Sequence, residues 1–265
     1  MNYEEARVYL DNAAKYGSVL GLDNMKEMLA RLDNPQDELK FIHISGTNGK
    51  GSVLAYLSTV LKEAGYRVGR YISPTLFRYR ERIQVNEAFI EKDSLAAHVA
   101  EIKAVADAME EEGLPHPTSF EIETALSFLY FKEKKCDIVV LETGLGGLDD
   151  ATNVITTTVM EVIASISMDH MGILGETIAE IAAKKAGIIK PDTLVVTMQQ
   201  KKEAMQVVLD TAKEKNCQVM IASPKSAKDI YYGYEEQSFS YGGYDNLKIS
   251  LAGSYQVANA VLAVD

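Results

Sequence analysis

The sequence has 265 residues, of which 47% are hydrophobic and 25% are charged, and its formal net charge is −11. These values are typical of a globular protein in water, and the negative charge argues against a protein that binds the phosphate backbone of nucleic acids. The first ten residues lack the apolar core of a signal peptide, and no apolar stretch is long enough to cross a bilayer. The two cysteines, Cys136 and Cys217, do not indicate a disulfide framework, so we expect a cytoplasmic protein without a membrane partner.

Short apolar runs alternate with longer amphipathic stretches through most of the chain. Five runs are rich in β-branched residues and show little alternation, as buried parallel strands do: 41–45, 137–141, 159–166, 193–197 and 218–222. Five further stretches have helical periodicity: 52–64, 93–112, 119–135, 177–186 and 200–215. This alternation predicts an α/β fold with a doubly wound, mostly parallel sheet flanked by helices.

The end of the sequence has a different pattern. The segment 225–251 contains five tyrosines and the pair Gly242-Gly243, which predicts a small antiparallel β element with a tight turn. Residues 254–264 have helical spacing, and the sequence stops inside this apolar run. We interpret the chain as truncated or as the product of an interrupted reading frame.

A glycine-rich segment joins the strand 41–45 to the helix 52–64. Its glycines allow backbone N–H groups to curl around phosphate oxygens, and the helix N-terminus adds partial positive charge. Lys50 can reach the terminal phosphates of a nucleotide, and the Ser52 hydroxyl can bind Mg²⁺. The predicted phosphate loop consists of Gly46, Thr47, Asn48, Gly49, Lys50, Gly51 and Ser52. Because Gly51 separates the lysine from the serine, the spacing departs from the standard motif, and a plain structural turn is the alternative.

The segment GTNGKGS after an apolar strand resembles the nucleotide loop of the Mur-ligase superfamily. Its Lys-Gly-Ser ending is the form seen in folylpolyglutamate and dihydrofolate synthases, and the stretch from Leu20 to the loop resembles their entry segment. The resemblance runs from about residue 18 to residue 265. It implies that residues 1–265 form the ATP-binding central domain, with a P-loop NTPase-like fold, and that ATP and two Mg²⁺ ions are the cofactors.

The segment Thr118 to Glu121 begins a predicted helix. From the residues alone it is a capping box, in which Glu121 reaches back to the backbone of Thr118. The resemblance implies instead that Glu121 binds the magnesium of MgATP together with Ser52, a role that suits a hard carboxylate oxygen.

The segment 142–153 follows the strand 137–141, at the end of a strand where ligand crevices form in α/β sheets. Its sequence, ending in Asp-Ala-Thr-Asn, resembles the family segment that lines the pterin pocket. The resemblance implies that Asp150 contacts the pterin substrate. Leu148 stands where the family usually has arginine, which puts an anion contact there in doubt.

The segment 168–191 carries two further candidates. His170 follows a predicted strand, and the resemblance implies that it binds a second Mg²⁺, although a half-buried structural histidine is the alternative. Thr177 and Glu180 form another capping box, and Gly187 suits the end of the helix. Lys185 suits the helix dipole, whereas the resemblance implies that it is carbamylated and binds metal.

Two weaker matches complete the pattern. The segments Ser73-Pro74-Thr75-Leu76 and Glu81-Arg82-Ile83 resemble the family's substrate loop, but Thr75 replaces its usual histidine. Gln256 and Asn259 match residues that meet the nucleotide in the family, although Tyr255 replaces a histidine there and an ordinary apolar helix is an equal alternative.

The resemblance implies an ATP-dependent ligase that adds L-glutamate to a folate or dihydropteroate carboxylate through an acyl phosphate. The implied catalytic residues are Lys50, Asp150, His170 and Lys185, and the implied metal ligands are Ser52, Glu121, His170 and Lys185. The partners would be small-molecule substrates and a C-terminal glutamate-ligase domain in the same chain, which this sequence does not reach. We therefore expect the 265 residues alone to bind MgATP weakly, if at all, and to have little or no ligase activity.

Three other functions are open at this point. The chain could belong to a cell-wall Mur ligase or a cyanophycin-synthetase-like protein, although the Lys-Gly-Ser ending favours the folate branch. The departures at Thr75, Leu148 and Tyr255 would fit a nucleotide-binding or dimerisation module without catalysis. The loop spacing makes a simple P-loop ATPase or kinase the weakest alternative.

Overall fold

A computed structural model describes residues 1–17, 21–169 and 172–265. The chain divides into two compact units. The first consists of Met1–Phe41, Leu61–Leu145 and Asp149–Thr157, and the second of Ile42–Val60, Gly146–Leu148 and Thr158–Asp265.

The described residues form α-helices and strands that are labelled here in chain order. The helices are α1 (Tyr3–Ala13), α2 (Asp23–Arg31), α3 (Lys50–Glu63), α4 (Lys92–Glu111), α5 (Ser119–Glu133), α6 (Ile178–Ala186), α7 (Lys202–Glu214) and α8 (Tyr255–Val264). The strands are β1 (Phe41–Ser45), β2 (Val68–Tyr71), β3 (Ile83–Val85), β4 (Ala88–Phe89), β5 (Ile138–Glu142), β6 (Thr158–Ile163), β7 (Leu194–Met198), β8 (Gln218–Ala222), β9 (Lys228–Tyr232), β10 (Gln237–Tyr241) and β11 (Tyr244–Ile249). Short 3₁₀ helices lie at Ala14–Tyr16, Pro35–Glu38, Tyr79–Arg82, Ala151–Val154 and Pro224–Ser226.

The first unit combines four strands with four helices. Its strands are ordered β4-β3-β2-β5, with β2 parallel to β5 and the two outer pairs antiparallel. Helix α5 is buried on every side from Glu121 to Phe131, because it packs against α1, α2 and α4 in an apolar core. A helix surrounded in this way positions its few polar side chains rigidly.

The second unit carries a parallel sheet and a small antiparallel one. Strands β1, β6, β7 and β8 are neighbours in that order, and β6–β7 and β7–β8 are parallel pairs. Every residue of β1 is buried, as expected of a strand covered on both faces. Strands β9, β10 and β11 form the antiparallel sheet, in which β10 is central.

The predicted fold class, a mostly parallel α/β sheet flanked by helices with a small antiparallel element, is confirmed. The five predicted strands correspond to β1, β5, β6, β7 and β8, and the tight turn falls at Gly242-Gly243 between β10 and β11. Strands β2 to β4 and the helices α1 and α2 were not predicted. Whether residues 1–265 constitute a single ATP-binding domain is not decided by the division into units and stays a prediction.

Hydropathy along the helices is also informative. Within the part of the chain that the structure describes, none of the helices is long and apolar enough to cross a membrane.

Candidate functional site

The glycine-rich loop of the second unit leads from β1 into α3. The backbone N–H of Thr47 donates to Ser165 O at 2.7 Å, and its hydroxyl donates to Ser167 O at 3.1 Å. Two glycines are required by their surroundings as well as by their positive φ angles. A Cβ on Gly46 would lie 2.8 Å from Ala164 Cβ, and one on Gly49 would lie 2.5 Å from Asn259 Oδ1. The loop is therefore held closely against its neighbours.

Two lysines converge on one carbonyl group of this loop. Lys50, the first residue of α3, donates from Nζ to Gly46 O at 3.3 Å. Lys185 on α6 donates from Nζ to the same oxygen at 2.9 Å, and its side chain is buried. Positive charge and the N-terminus of α3 thus meet at the loop, an arrangement that attracts phosphate groups.

Helix α8 closes on the other end of the loop. Gln256 Nε2 donates to Ser52 Oγ at 3.1 Å, and Asn259 Nδ2 donates to Gln256 Oε1 at 3.1 Å. Both amide side chains are buried, whereas Ser52 is half-buried. The sequence predicted Gln256 and Asn259 as nucleotide contacts. In the structure Gln256 contacts the loop at Ser52, and Asn259 contacts Gln256.

Helix α6 has the predicted capping box, with the Glu180 backbone N–H donating to Thr177 Oγ1 at 3.2 Å and the Thr177 N–H donating to Glu180 Oε2 at 3.0 Å.

A glycine is required at position 187, after this helix, for a different reason from the one expected. Its φ is −58°, an ordinary right-handed value, so the residue is not a left-handed helix end. A Cβ there would lie 2.5 Å from the Leu148 Cβ. Close approach of Leu148, whose backbone N–H donates to Lys184 O at 2.7 Å, requires the glycine.

The first unit contains a cavity of about 370 Å³. Segments that the sequence singled out separately line it together: the cis Ser73-Pro74 bond, the start of α5, and the loop that follows β5. The Phe120 ring lines one side, and Asp150 contributes a buried carboxylate. The cavity offers an aromatic surface beside polar groups, which suits a flat heteroaromatic ligand.

Glu121 and Asp150 already have structural hydrogen bonds. Glu121 Oε2 accepts from the Thr118 N–H at 2.8 Å, the Thr118 hydroxyl at 2.9 Å and Asn24 Nδ2 at 3.2 Å. This confirms the capping box, and the metal role of Glu121 stays a prediction. Asp150 Oδ2 accepts from the Leu145 N–H at 2.7 Å, and its Oδ1 caps the 3₁₀ helix at Thr152. Burial raises the pKa of Asp150, while these hydrogen bonds oppose the shift.

The sequence did not single out Glu123 in the cavity wall, or its pairing with Arg82. Glu123 on α5 lies 3.1 Å from Arg82 Nη1, and both side chains are almost entirely buried. Burial raises the pKa of Glu123, and the neighbouring guanidinium partly offsets this. A second glutamate among the apolar residues of the predicted helix 119–135 was the available signal, because a charge on a buried helix needs a partner.

His170, Leu148 and Tyr255 are the residues singled out from the sequence that remain. His170 lies outside the described residues, so its metal role stays a prediction. In residues 1–17, 21–169 and 172–265, no three His, Cys, Asp or Glu side chains form a cluster that could hold a metal ion. Leu148 is 44% exposed and Tyr255 is 67% exposed, so neither departure from the family pattern is compensated by packing in the core.

The fold and the loop define the class of this protein. A parallel α/β sheet with a glycine-rich loop and a lysine at the N-terminus of α3 is the architecture of phosphate-loop proteins. The chain belongs to the Mur ligase middle domain family, whose model matches residues 44–265. The predicted membership of the Mur-ligase superfamily is thereby confirmed.

Comparison with individual proteins gives a consistent result. The chain is 39% identical to a dihydrofolate synthase/folylpolyglutamate synthase of Bacillus subtilis over 99% of this chain and 62% of the relative. It is 34% identical to the folylpolyglutamate synthase of Lacticaseibacillus casei, over 100% of this chain and 63% of the relative. Among solved structures it is similar to an FPGS-AMPPCP-folate complex, with a TM-score of 0.91 and 33% identity over 100% of this chain and 66% of that chain. The chain thus spans less than two thirds of the length of these relatives.

Proposed function

We propose that this chain is the nucleotide-binding part of an ATP-dependent ligase that adds L-glutamate to the carboxylate of a folate or dihydropteroate. The observation that carries the proposal is the loop Gly46–Ser52, on which Lys50, Lys185 and Gln256 converge. The likeness to a dihydrofolate synthase/folylpolyglutamate synthase and to a complex with AMPPCP and folate supports the choice of substrates.

In the proposed reaction the substrate carboxylate attacks the γ-phosphorus of ATP, and the bond from that phosphorus to the bridging oxygen of ADP breaks. The amine of glutamate then attacks the acyl phosphate, expels inorganic phosphate and loses a proton to form the amide. Two anions have to approach one another in the first step, so cationic groups must offset their repulsion. Lys50 and the N-terminus of α3 would neutralise the phosphates, and Lys185 would hold the loop backbone that binds them.

Magnesium fits this loop by its donor chemistry. The Ser52 hydroxyl is a hard oxygen donor in the first turn of α3, and it is only half-buried. Bound Mg²⁺ would draw charge from the phosphate oxygens and orient them. Glu121, His170 and carbamylated Lys185 remain candidates for further ligands, and a second ion depends on them.

The acceptor would occupy the cavity of the first unit. Its Phe120 ring suits stacking with a pterin, and the carboxylates of Asp150 and Glu123 suit the N–H groups of such a ring. Arg82 lines the same cavity, and among the described residues its buried Nε has no hydrogen-bond partner.

The two cysteines, Cys136 and Cys217, are both free thiols. This supports a reducing compartment, and we propose the cytoplasm as the location.

Calorimetric titration with a non-hydrolysable ATP analogue, with and without Mg²⁺, tests the nucleotide site. We expect weak but saturable, Mg²⁺-dependent binding that is lost in Lys50→Ala and retained in Lys202→Ala, a control that removes an exposed lysine of α7. Equal binding by both variants would contradict the proposal. Titration with dihydropteroate and folate then tests the acceptor, with the full-length Bacillus subtilis relative as the reference for turnover. Nucleotide binding without any binding of either pterin would favour a non-catalytic nucleotide-binding module.

A further inference from the structure

We propose that Gln256 and Asn259 are positioning residues that aim the Ser52 hydroxyl at a divalent cation, and that Gln256 acts through this hydroxyl and not on the nucleotide. The inference rests on the proposed function and gives Gln256 a different role from the nucleotide contact expected from the sequence.

The first step is that both ends of the Gln256 amide have a partner. Its Oε1 accepts from Asn259 Nδ2 at 3.1 Å, and its Nε2 donates to Ser52 Oγ at 3.1 Å. Because Asn259 presents a donor, the oxygen end of the Gln256 amide faces Asn259. The nitrogen end then faces Ser52, so Asn259 determines the orientation in which Gln256 meets the loop.

The second step concerns the lone pairs of Ser52. A serine hydroxyl has one hydrogen and two lone pairs, and it rotates to suit its partners. The donor from Gln256 occupies one lone pair of Oγ, which restricts this rotation. The second lone pair is then left for a cation in a defined direction. An oriented oxygen has less rotational freedom to lose when it becomes a metal ligand.

The third step is that Gln256 and Asn259 are buried while Ser52 is not. Gln256 is 6% exposed and Asn259 is 5% exposed, and both polar ends of the Gln256 amide have partners within the protein. Ser52 remains half-buried at the start of α3. The exposed member of the chain of hydrogen bonds is therefore the hydroxyl.

The fourth step is that Asn259 also contacts the loop itself. A Cβ on Gly49 would lie 2.5 Å from Asn259 Oδ1, so the amide sits directly against the glycine. Helix α8 thus meets the loop at Gly49 and at Ser52. These two contacts fix the segment in which Lys50 begins α3.

The test compares Gln256→Met with wild type. Methionine retains much of the volume of glutamine and favours helix, but it removes both the donor and the acceptor of the amide group. The matched control is Gln206→Met, because Gln206 is exposed on α7 and its amide donates only to Asp210 among the described residues. Affinity for a non-hydrolysable ATP analogue is measured with and without Mg²⁺. The quantity of interest is the gain in affinity on adding Mg²⁺.

We expect Gln256→Met to reduce this gain by about five- to tenfold, the effect of one lost hydrogen bond, with the metal-free affinity within about twofold of wild type. Gln206→Met should match wild type. Ser52→Ala should lose the gain, and Ser52→Ala/Gln256→Met should be no worse than Ser52→Ala, because Gln256 acts through the hydroxyl. Additive losses in the double variant, or an equal loss of metal-free affinity in Gln256→Met, would overturn the inference.

Hydrogen–deuterium exchange of the ligand-free protein separates this inference from the proposed function. We expect faster exchange in residues 46–53 of Gln256→Met than in wild type or Gln206→Met. If the wild-type chain binds no nucleotide, the proposed function fails for this chain, and exchange alone decides the inference. Unchanged exchange in Gln256→Met would then refute it.

Discussion

The ammonium group of Lys185 donates to the carbonyl oxygen of Gly46 at 2.9 Å, across 139 residues of sequence. This bond ties helix α6 to the first residue of the glycine-rich loop. Because Lys185 is buried, its charge is compensated inside the protein and not by water. The loop is therefore organised by a residue that lies far outside it.

Replacement of Lys185 by methionine should lower the stability of the protein. Methionine keeps the aliphatic part of the side chain but leaves Gly46 O without one of its donors, so we expect a loss of about 2 kcal/mol in the free energy of unfolding. Urea unfolding followed by circular dichroism measures this. The control is Lys184→Met, which alters the neighbouring, half-exposed lysine. Equal stability of the two variants would contradict the structural role of Lys185.

The predicted carbamylation of Lys185 can be examined on the same proteins. Wild type and Lys185→Met are incubated with ¹³C-labelled bicarbonate, and the carbamate carbon is sought by NMR. A signal present in wild type and missing from Lys185→Met would support the modification. A wild-type spectrum without the signal would rule it out under those conditions, and Lys185 would remain an amine that donates to Gly46.

Substitution Glu121→Gln separates the capping role of this residue from the predicted metal role. Glu121 Oε2 accepts from both the N–H and the hydroxyl of Thr118, so the variant should lose about 1 kcal/mol of stability. Thr118→Ala is the control, because it weakens the same cap but leaves the carboxylate group of Glu121 in place. We measure thermal unfolding together with the gain in nucleotide affinity on adding Mg²⁺. A fall in that gain in Glu121→Gln, with none in Thr118→Ala, would support the metal role.

Breaking the buried pair of Arg82 and Glu123 should lower the free energy of unfolding. In Glu123→Gln the guanidinium of Arg82 would remain in the cavity wall without its counter-charge, and we expect a loss of about 3 kcal/mol. Glu4→Gln is the control, because Glu4 forms an exposed pair with Lys92 at 4.0 Å and should contribute almost nothing. Chemical denaturation measures both. A loss of unfolding free energy in Glu123→Gln as small as that in Glu4→Gln would show that the buried pair contributes little to stability.

The pH dependence of stability should reflect Glu161, a buried carboxyl on β6. It accepts from the Lys190 N–H at 2.9 Å and from the Thr193 hydroxyl at 2.6 Å. Burial raises the pKa of Glu161 above its ordinary 4.5, with these hydrogen bonds opposing the shift. The folded protein therefore keeps this proton to higher pH than the unfolded chain. As a result, this group's contribution to stability is greatest below 4.5 and falls as the pH rises through the raised pKa.

The substitution Glu161→Gln removes this titration. We expect the free energy of unfolding of wild type, relative to that of Glu161→Gln, to fall between pH 4.5 and neutral pH. Urea unfolding at a series of pH values measures the difference. A constant difference, or one that grows with pH, would show that Glu161 is not held protonated by burial.

Much of the fold could be predicted from the sequence because its signals are local. Strands β1 and β8 were found with their observed bounds from their short apolar runs, although β8, at the edge of the sheet, is mostly exposed and not buried as predicted. Strand β2 was missed because Gly69 and Arg70 weaken its pattern. The glycine is nonetheless required, as a Cβ there would lie 2.9 Å from the Phe131 ring. Packing across the fold, which the local pattern does not contain, decides such positions.

The same distinction applies to the candidate site. The loop Gly46–Ser52 was predicted from its residue types and its place between a strand and a helix. The partners of its side chains were not, because Gln256 lies 204 residues from Ser52. Glu123 was missed for a related reason: its partner Arg82 belongs to another element, and the sequence does not say which charges are paired.

The burial of α5 on every side has a consequence for how this protein can vary. The helix supplies Phe120, Glu121 and Glu123 to the cavity wall, and its next turns fill the apolar core of the first unit. A substitution that reshapes the cavity from this helix also disturbs the core, and a core substitution moves the cavity wall. Lineages that change ligand preference through α5 would therefore need compensating core mutations, so the two sets of positions should drift together.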